Sequence, residues 1–224
     1  MFREGAEIRM LQGPAAARTV TIDERVAVIA ILDYGAGNLR SVENTLGEIG
    51  AQYTLVRDAT GLRNASKIVL PGVGHFGQMM RALDDMQVRG ALLECIGAGV
   101  PFLGICLGLQ ALFERSDEAP EAWGLALFDG TVRRFPANAR VPHMGWNQLE
   151  PRGDSRLLCG LAPQAFVYFA HSYYAPEMQA TAATCTYTLP YTAVLEAGNT
   201  FGVQFHPEKS GPVGLRIVKN FVEL

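Results

Sequence analysis

Early in the chain, two hydrophobic periods take turns. Residues 26–32 form a continuous apolar run that ends at Asp33. Leu39, Val42, Leu46 and Ile49 then recur at the spacing of one helix face, and Gly50 stands where a helix C-cap belongs. Residues 53–56 read as a second strand and 67–70 as a third, stopped by Pro71. A long helix is expected over about 76–97, a fourth strand over 101–105 and a third helix over 107–115. Strands that alternate with helices build a parallel sheet covered on both faces.

The second half reads differently. Residues 125–135, 167–174, 182–187, 193–197 and 202–205 are short β-rich runs separated by Gly, Pro and Asn, so antiparallel strands are expected to extend or flank the sheet. Leu215, Val218, Phe221 and Val222 mark a closing helix. The fold class expected is α/β, an open and mostly parallel sheet flanked by helices, with antiparallel strands in the second half. One domain over 26–224 accounts for all of this. Residues 1–25, with mixed charges and no periodicity, read as an N-terminal extension, expected to be disordered, with Met10 as an alternative start.

Composition excludes several classes. Hydrophobic residues make up 49% and charged ones 18%, which rules out a disordered or collagen-like chain. The net charge of −3 argues against a broad basic surface for nucleic acid or anionic lipid. The 26–32 run is too short to span a bilayer. Cys95, Cys106, Cys159 and Cys185 form no Cys-x-x-Cys pair. A reducing, cytoplasmic compartment fits, with no metal and no cofactor expected. Cys95, Cys159 and Cys185 read as packing residues in apolar surroundings, and His75 and His143 as loop residues beside glycines.

The sharpest chemical signal is Gly104-Ile105-Cys106-Leu107-Gly108, which follows an apolar strand and opens a helix. This is the nucleophile-elbow pattern with Cys in place of Ser. A tight strand-to-helix turn needs small residues beside the nucleophile, because its backbone is strained and crowded. The turn lifts the sulfur to the carboxyl edge of the sheet. A helix beneath it would add positive potential, and the Leu107 N–H would point at a developing oxyanion.

A thiol nucleophile needs a base, and the base needs an orienting group. Gly202-Val-Gln-Phe-His-Pro-Glu208 offers both. His206 and Glu208 lie two apart on what reads as an extended segment, with Pro207 preventing helix, so their side chains share a face. Two glycine motifs raise a dinucleotide site as a rival. Gly72-Val-Gly-His-Phe-Gly77 follows the third strand rather than the first, and Gly35-Ala-Gly37, paired with Asp58, has Arg40 where a third glycine belongs. Gly72 and Val73 are better placed as a second oxyanion donor strand beside Cys106.

Gly104-Ile-Cys-Leu-Gly-Leu-Gln110, Pro71-Gly-Val-Gly74 and His206-Pro-Glu208 resemble the class I (triad-type) glutamine amidotransferases. Asp33-Tyr-Gly-Ala-Gly-Asn38, Met144-Gly-Trp-Asn147, His171-Ser-Tyr-Tyr174 and Gln204-Phe-His-Pro-Glu-Lys-Ser210 narrow the resemblance to the glutaminase subunits of imidazole glycerol phosphate synthase, in histidine biosynthesis. It covers about 26–224 and implies a glutamine amidotransferase domain there. It implies hydrolysis of glutamine through a Cys106 thioester, with His206 as base and then acid and Glu208 orienting it. Gln110, Glu118, His171, Ser172 and Tyr173 would surround the substrate's amino and carboxylate groups. The ammonia would pass to a (β/α)₈-barrel cyclase subunit in a heterodimer. Asn38, Trp146, Tyr168 and Lys209 would lie at or near that interface. The lone glutaminase would be nearly silent until the partner binds its nucleotide, with Gly72 and Val73 as the switch.

Three rivals remain from the residues alone. They are a free-standing cysteine hydrolase, a glutaminase subunit of the anthranilate or aminodeoxychorismate type, and a non-catalytic binding subunit.

Overall fold

The computed structural model describes residues 28–224, so the 1–25 extension and the first residues of the 26–32 run lie outside it. The first half runs β1 (Ile29–Leu32), α1 (Leu39–Ile49), β2 (Tyr53–Val56), α2 (Ala59–Arg63), β3 (Lys67–Gly72), α3 (Phe76–Asp85), α4 (Arg89–Gly97), β4 (Phe102–Cys106) and α5 (Leu107–Gln110). The second half adds strands β5 (Phe113–Ser116), β6 (Phe128–Arg134), β7 (His143–Gln148), β8 (Glu150–Pro151) and β9 (Phe166–His171). It closes with β10 (Tyr173–Tyr174), β11 (Thr181–Tyr187), β12 (Leu189–Ala197), β13 (Thr200–Val203) and α6 (Gly211–Glu223).

The main sheet has the order β2-β1-β3-β4-β13-β12-β11-β8. The first five strands are parallel neighbours, and β12, β11 and β8 continue the sheet antiparallel. Side chains alternate between two cores. Ala30, Leu32, Ile68, Leu70 and Phe102 pack on one face. Ile29, Ile31, Val69, Leu103 and Ile105 pack on the other. Burial on both sides is why the parallel strands read as unbroken apolar runs. The predicted α/β class and the antiparallel second half are what the structure has.

Several boundaries differ from expectation, each for a local reason. Pro71 does not stop β3, which continues to Gly72. The Ile68 N–H donates to the Pro101 carbonyl toward β4, so position 71 faces the β1 side, where pairing ends at Val69. A missing N–H there costs no ladder bond. The long helix over 76–97 is two helices, because Gln87 adopts φ 56° between them. That left-handed residue lets Val88 be buried, five positions after Leu83.

The helix expected over 107–115 is a single turn, α5, followed by β5. The carbonyls of Ala111 and Leu112 accept instead from Leu125 N–H at 2.7 Å and Leu127 N–H at 2.9 Å. β7 and β8 form strands outside the predicted runs, and α2 lies between two predicted strands. As expected, α1 ends at Gly50 with φ 77°.

Candidate active site

β4 ends at Cys106, which takes φ 54° and ψ −104°, a region a side chain rarely occupies. The crowding around it explains the glycines. A Cβ on Gly104 would strike the Gly108 carbonyl, and one on Gly108 would strike the Leu70 carbonyl. Backbone atoms fill the space, so only glycine fits at either position. α5 spans four residues, Leu107–Gln110, which is too short for an appreciable helix dipole. Positive charge beside the sulfur is available from a side chain as well.

His206 supplies it. The segment after β13 carries His206 into a buried position, and its backbone N–H donates to the Tyr168 carbonyl at 2.9 Å. His206 Nδ1 lies 2.9 Å from Glu208 Oε1, with both side chains almost fully buried. The two do not share an extended strand. Pro207–Lys209 is a 3-10 turn, and Pro207 starts it rather than preventing helix. Burial alone would lower the His206 pKa. The neighbouring Cys106 sulfur and the hydrogen-bonded Glu208 carboxylate outweigh that and push it up to about 10. The imidazole is therefore held toward its protonated form beside the sulfur.

A cavity of about 180 Å³ opens over this pair, lined by Val73, Gly74, Cys106, Leu107, Gln110 and Glu118 on one side and Pro142, 170–173 and His206 on the other. Gly72 pairs in register with Cys106. All the residues predicted for catalysis and substrate contact gather here, apart from Gly72 and Glu208, which stand immediately behind. Their engagement differs. Gln110 Nε2 donates to the Tyr173 carbonyl at 2.9 Å and to Gln204 Oε1 at 3.1 Å.

Glu118 Oε2 accepts from the Phe76 N–H at 2.7 Å and so caps α3. His171 uses both ring nitrogens internally. Nδ1 lies 2.8 Å from the Tyr173 carbonyl, and Nε2 lies 3.2 Å from Tyr191 Oη. Burial drives its pKa down to about 3, so it is a neutral wall residue. Gln204 was missed as a candidate although it stands inside the His206 motif, and its Nε2 donates to Cys106 Sγ at 3.6 Å.

The rival dinucleotide motifs are committed elsewhere. His75 caps α3, accepting from the Gly77 N–H at 3.2 Å. Asp58 caps α2, accepting from the Gly61 N–H at 2.8 Å. A cavity of about 800 Å³ lies apart from Cys106, along β8 and the end of α6. No histidine lines it, and its Arg156–Glu196 pair is already joined at 2.7 Å. Cys95 and Cys185 are buried as expected, but Cys159 is exposed, and all four cysteines are free.

Trp146 lies on the outer face of the β7–β9 ribbon, opposite Tyr168, and is 56% exposed. Met144, two residues before it, is 65% exposed. Lys209 Nζ lies 5.9 Å from the Tyr168 ring centre. Asn38 opens α1 at the same sheet edge as Cys106, its Oδ1 accepting from Ser41 Oγ at 2.9 Å. Among the described residues, no helix is long and apolar enough to cross a membrane, and no group of three His, Cys, Asp or Glu is placed to hold a metal ion.

Comparison with known proteins agrees with this geometry. The family model described as "Glutamine amidotransferase class-I" matches residues 30–224. A solved glutamine amidotransferase shares the fold at a TM-score of 0.70, with 18% identity over 87% of this chain and 97% of its own. PurLQS from Thermotoga maritima does so at 0.69, with 17% identity over 88% and 97%. At those identities the likeness is one of fold. The chain therefore belongs to the class I glutamine amidotransferases.

Two curated relatives place it more narrowly. "Imidazole glycerol phosphate synthase subunit HisH" of Deinococcus radiodurans is 48% identical over 86% of this chain and 92% of its own. The protein of the same name from Methanothermobacter thermautotrophicus is 49% identical over 88% and 98%. Within its class, the chain is a member of the HisH subunit family.

Proposed function

We propose that this chain hydrolyses glutamine to glutamate and ammonia at Cys106 and delivers the ammonia to a cyclase partner that makes imidazole glycerol phosphate and an aminoimidazole-carboxamide ribonucleotide. The observation that carries this is the strained Cys106 turn facing the buried His206–Glu208 pair across one small cavity. The Cys106 thiolate attacks the substrate's carboxamide carbon. Backbone N–H groups at Gly72 or Val73 and at Leu107 stabilise the oxyanion. His206 gives its proton to the leaving nitrogen, so ammonia departs and a γ-glutamyl thioester remains. His206 then takes a proton from water, which attacks the thioester carbon and frees glutamate and the thiolate. Glu208 holds the imidazole for both transfers.

Gln110 and Glu118, with the backbone at 171–173, form the wall that receives the substrate's amino and carboxylate groups. His171 supports that wall from within. Asn38, Trp146, Tyr168 and Lys209 belong to the surface for the (β/α)₈-barrel cyclase in a heterodimer. The bond from His206 N–H to the Tyr168 carbonyl ties that surface to the triad. An exposed Met144–Trp146 face beside the site favours an obligate partner over a free-standing hydrolase. The setting is cytoplasmic, with no nucleic acid or membrane involved.

The test is glutamate release by the purified chain, alone and with the cyclase and its nucleotide. Strong activation in the complex, abolished in Cys106→Ala, is expected. Equal activity with and without the partner would refute the gated supply.

A further inference from the structure

We propose that Gln204 is a catalytic hydrogen-bond donor to the Cys106 sulfur, locked in its donating orientation by a relay from the Tyr173 carbonyl through Gln110. This deepens the reading of Cys106 as nucleophile and rests on it.

The relay has only one consistent direction. The Tyr173 carbonyl can only accept, so Gln110 must turn its amide nitrogen toward it, at 2.9 Å. The second hydrogen of that nitrogen points to Gln204 Oε1 at 3.1 Å. With its oxygen so engaged, Gln204 presents Nε2 to the sulfur at 3.6 Å. A flipped Gln204 would set nitrogen against nitrogen and oxygen against sulfur. The backbone is fixed as well, since the Gln204 N–H donates to the Ala193 carbonyl at 2.9 Å. The side chain is fully buried.

A carboxamide in this position has a use an ionisable group lacks. It offers a donor to negative charge on sulfur without competing for the proton that His206 must carry. The relay also begins at Tyr173, on the wall that receives the substrate, and the same carbonyl faces His171 Nδ1. The wall and the nucleophile thus share one chain of hydrogen bonds. The other titratable groups around the sulfur are His206 with Glu208 behind it, Tyr34 after β1 and Tyr191 on β12, with Glu118, His171 and Tyr173 lining the same cavity.

The test uses the chain bound to its cyclase. Inactivation by iodoacetamide is followed across pH in wild type, Gln204→Met and Gln204→Glu, with Cys106→Ala reporting background from the exposed Cys159. In both Gln204 variants the pH of half-maximal inactivation should rise by about one unit, the worth of one hydrogen bond to a charged group. kcat should fall about tenfold and KM stay within about twofold. Gln204→Glu keeps the acceptor for Gln110, so the buried contact survives even where Met disrupts folding. An unmoved pH midpoint in either folded variant would overturn the proposal, whatever the loss of thermal stability. Residual glutaminase activity in Cys106→Ala would overturn the nucleophile assignment instead, so the two failures are distinct.

Discussion

Replacing Gly72 by alanine puts one methyl group into the back of the catalytic turn. The new Cβ would stand 2.6 Å from Met79 Cε, 2.7 Å from the Gly108 nitrogen and 2.7 Å from Leu107 Cβ. Comfortable contact is about 3.5–4.0 Å, so roughly 1 Å must be found. The Met79 methyl can swing away. The Gly108 backbone cannot, because it already lies against the Leu70 carbonyl. Relief must come from moving the turn that carries Cys106. Overpacking of this kind costs about 1–3 kcal/mol, or a Tm lower by about 2–12 °C in a chain of this size. Misplacing a nucleophile by about 1 Å costs on the order of 100-fold in rate. The assay is glutamate release at saturating glutamine with the cyclase present, with thermal unfolding of the same preparation. Wild-type kcat and Tm in Gly72→Ala would refute the close-packing argument. The same geometry makes this substitution a packing lesion rather than a clean lock on an oxyanion switch.

Other outcomes follow from single residues. Gly47→Ala, inside α1 with nothing near its Cβ position, should stabilise by about 0.5–1 kcal/mol in denaturant titration. Trp146→Ala should leave Tm almost unchanged yet weaken cyclase binding by about 2 kcal/mol, roughly 30-fold in Kd by calorimetry. Burial holds His143 at about 4 and His171 at about 3, below the ordinary 6.5, so the unfolded chain takes up protons first as pH falls. The contribution of these two histidines should be full above about pH 6.5 and be lost toward pH 4, and His143→Phe should flatten that acid decline measured by Tm.

Much of the site was legible because its chemistry is local in sequence. Gly104 to Gly108 specify the turn through glycines that the fold needs for space, and His206 and Glu208 are near neighbours along the chain. The parallel half was legible for a similar reason, since burial on both faces leaves apolar runs. What escaped depends on partners distant in sequence. The 107–115 segment has helical composition, but its carbonyls are claimed by residues 125–128. Gln87 breaks a helix so that Val88 can reach the core. The roles of Gln204 and Gln110 rest on a relay joining residues 106, 110, 173 and 204, which no spacing announces. Trp146 could not be told from a core tryptophan until the β7–β9 ribbon showed its outer face.

The most direct test of the account is a mass-spectrometric search for the covalent intermediate. The chain, bound to its cyclase and nucleotide, is mixed with glutamine, quenched in acid and digested. A γ-glutamyl adduct on the Cys106 peptide, absent from Cys95, Cys159 and Cys185, is the predicted result. Glutamate release that persists in Cys106→Ala, with no adduct on Cys106 in the wild type, would contradict it.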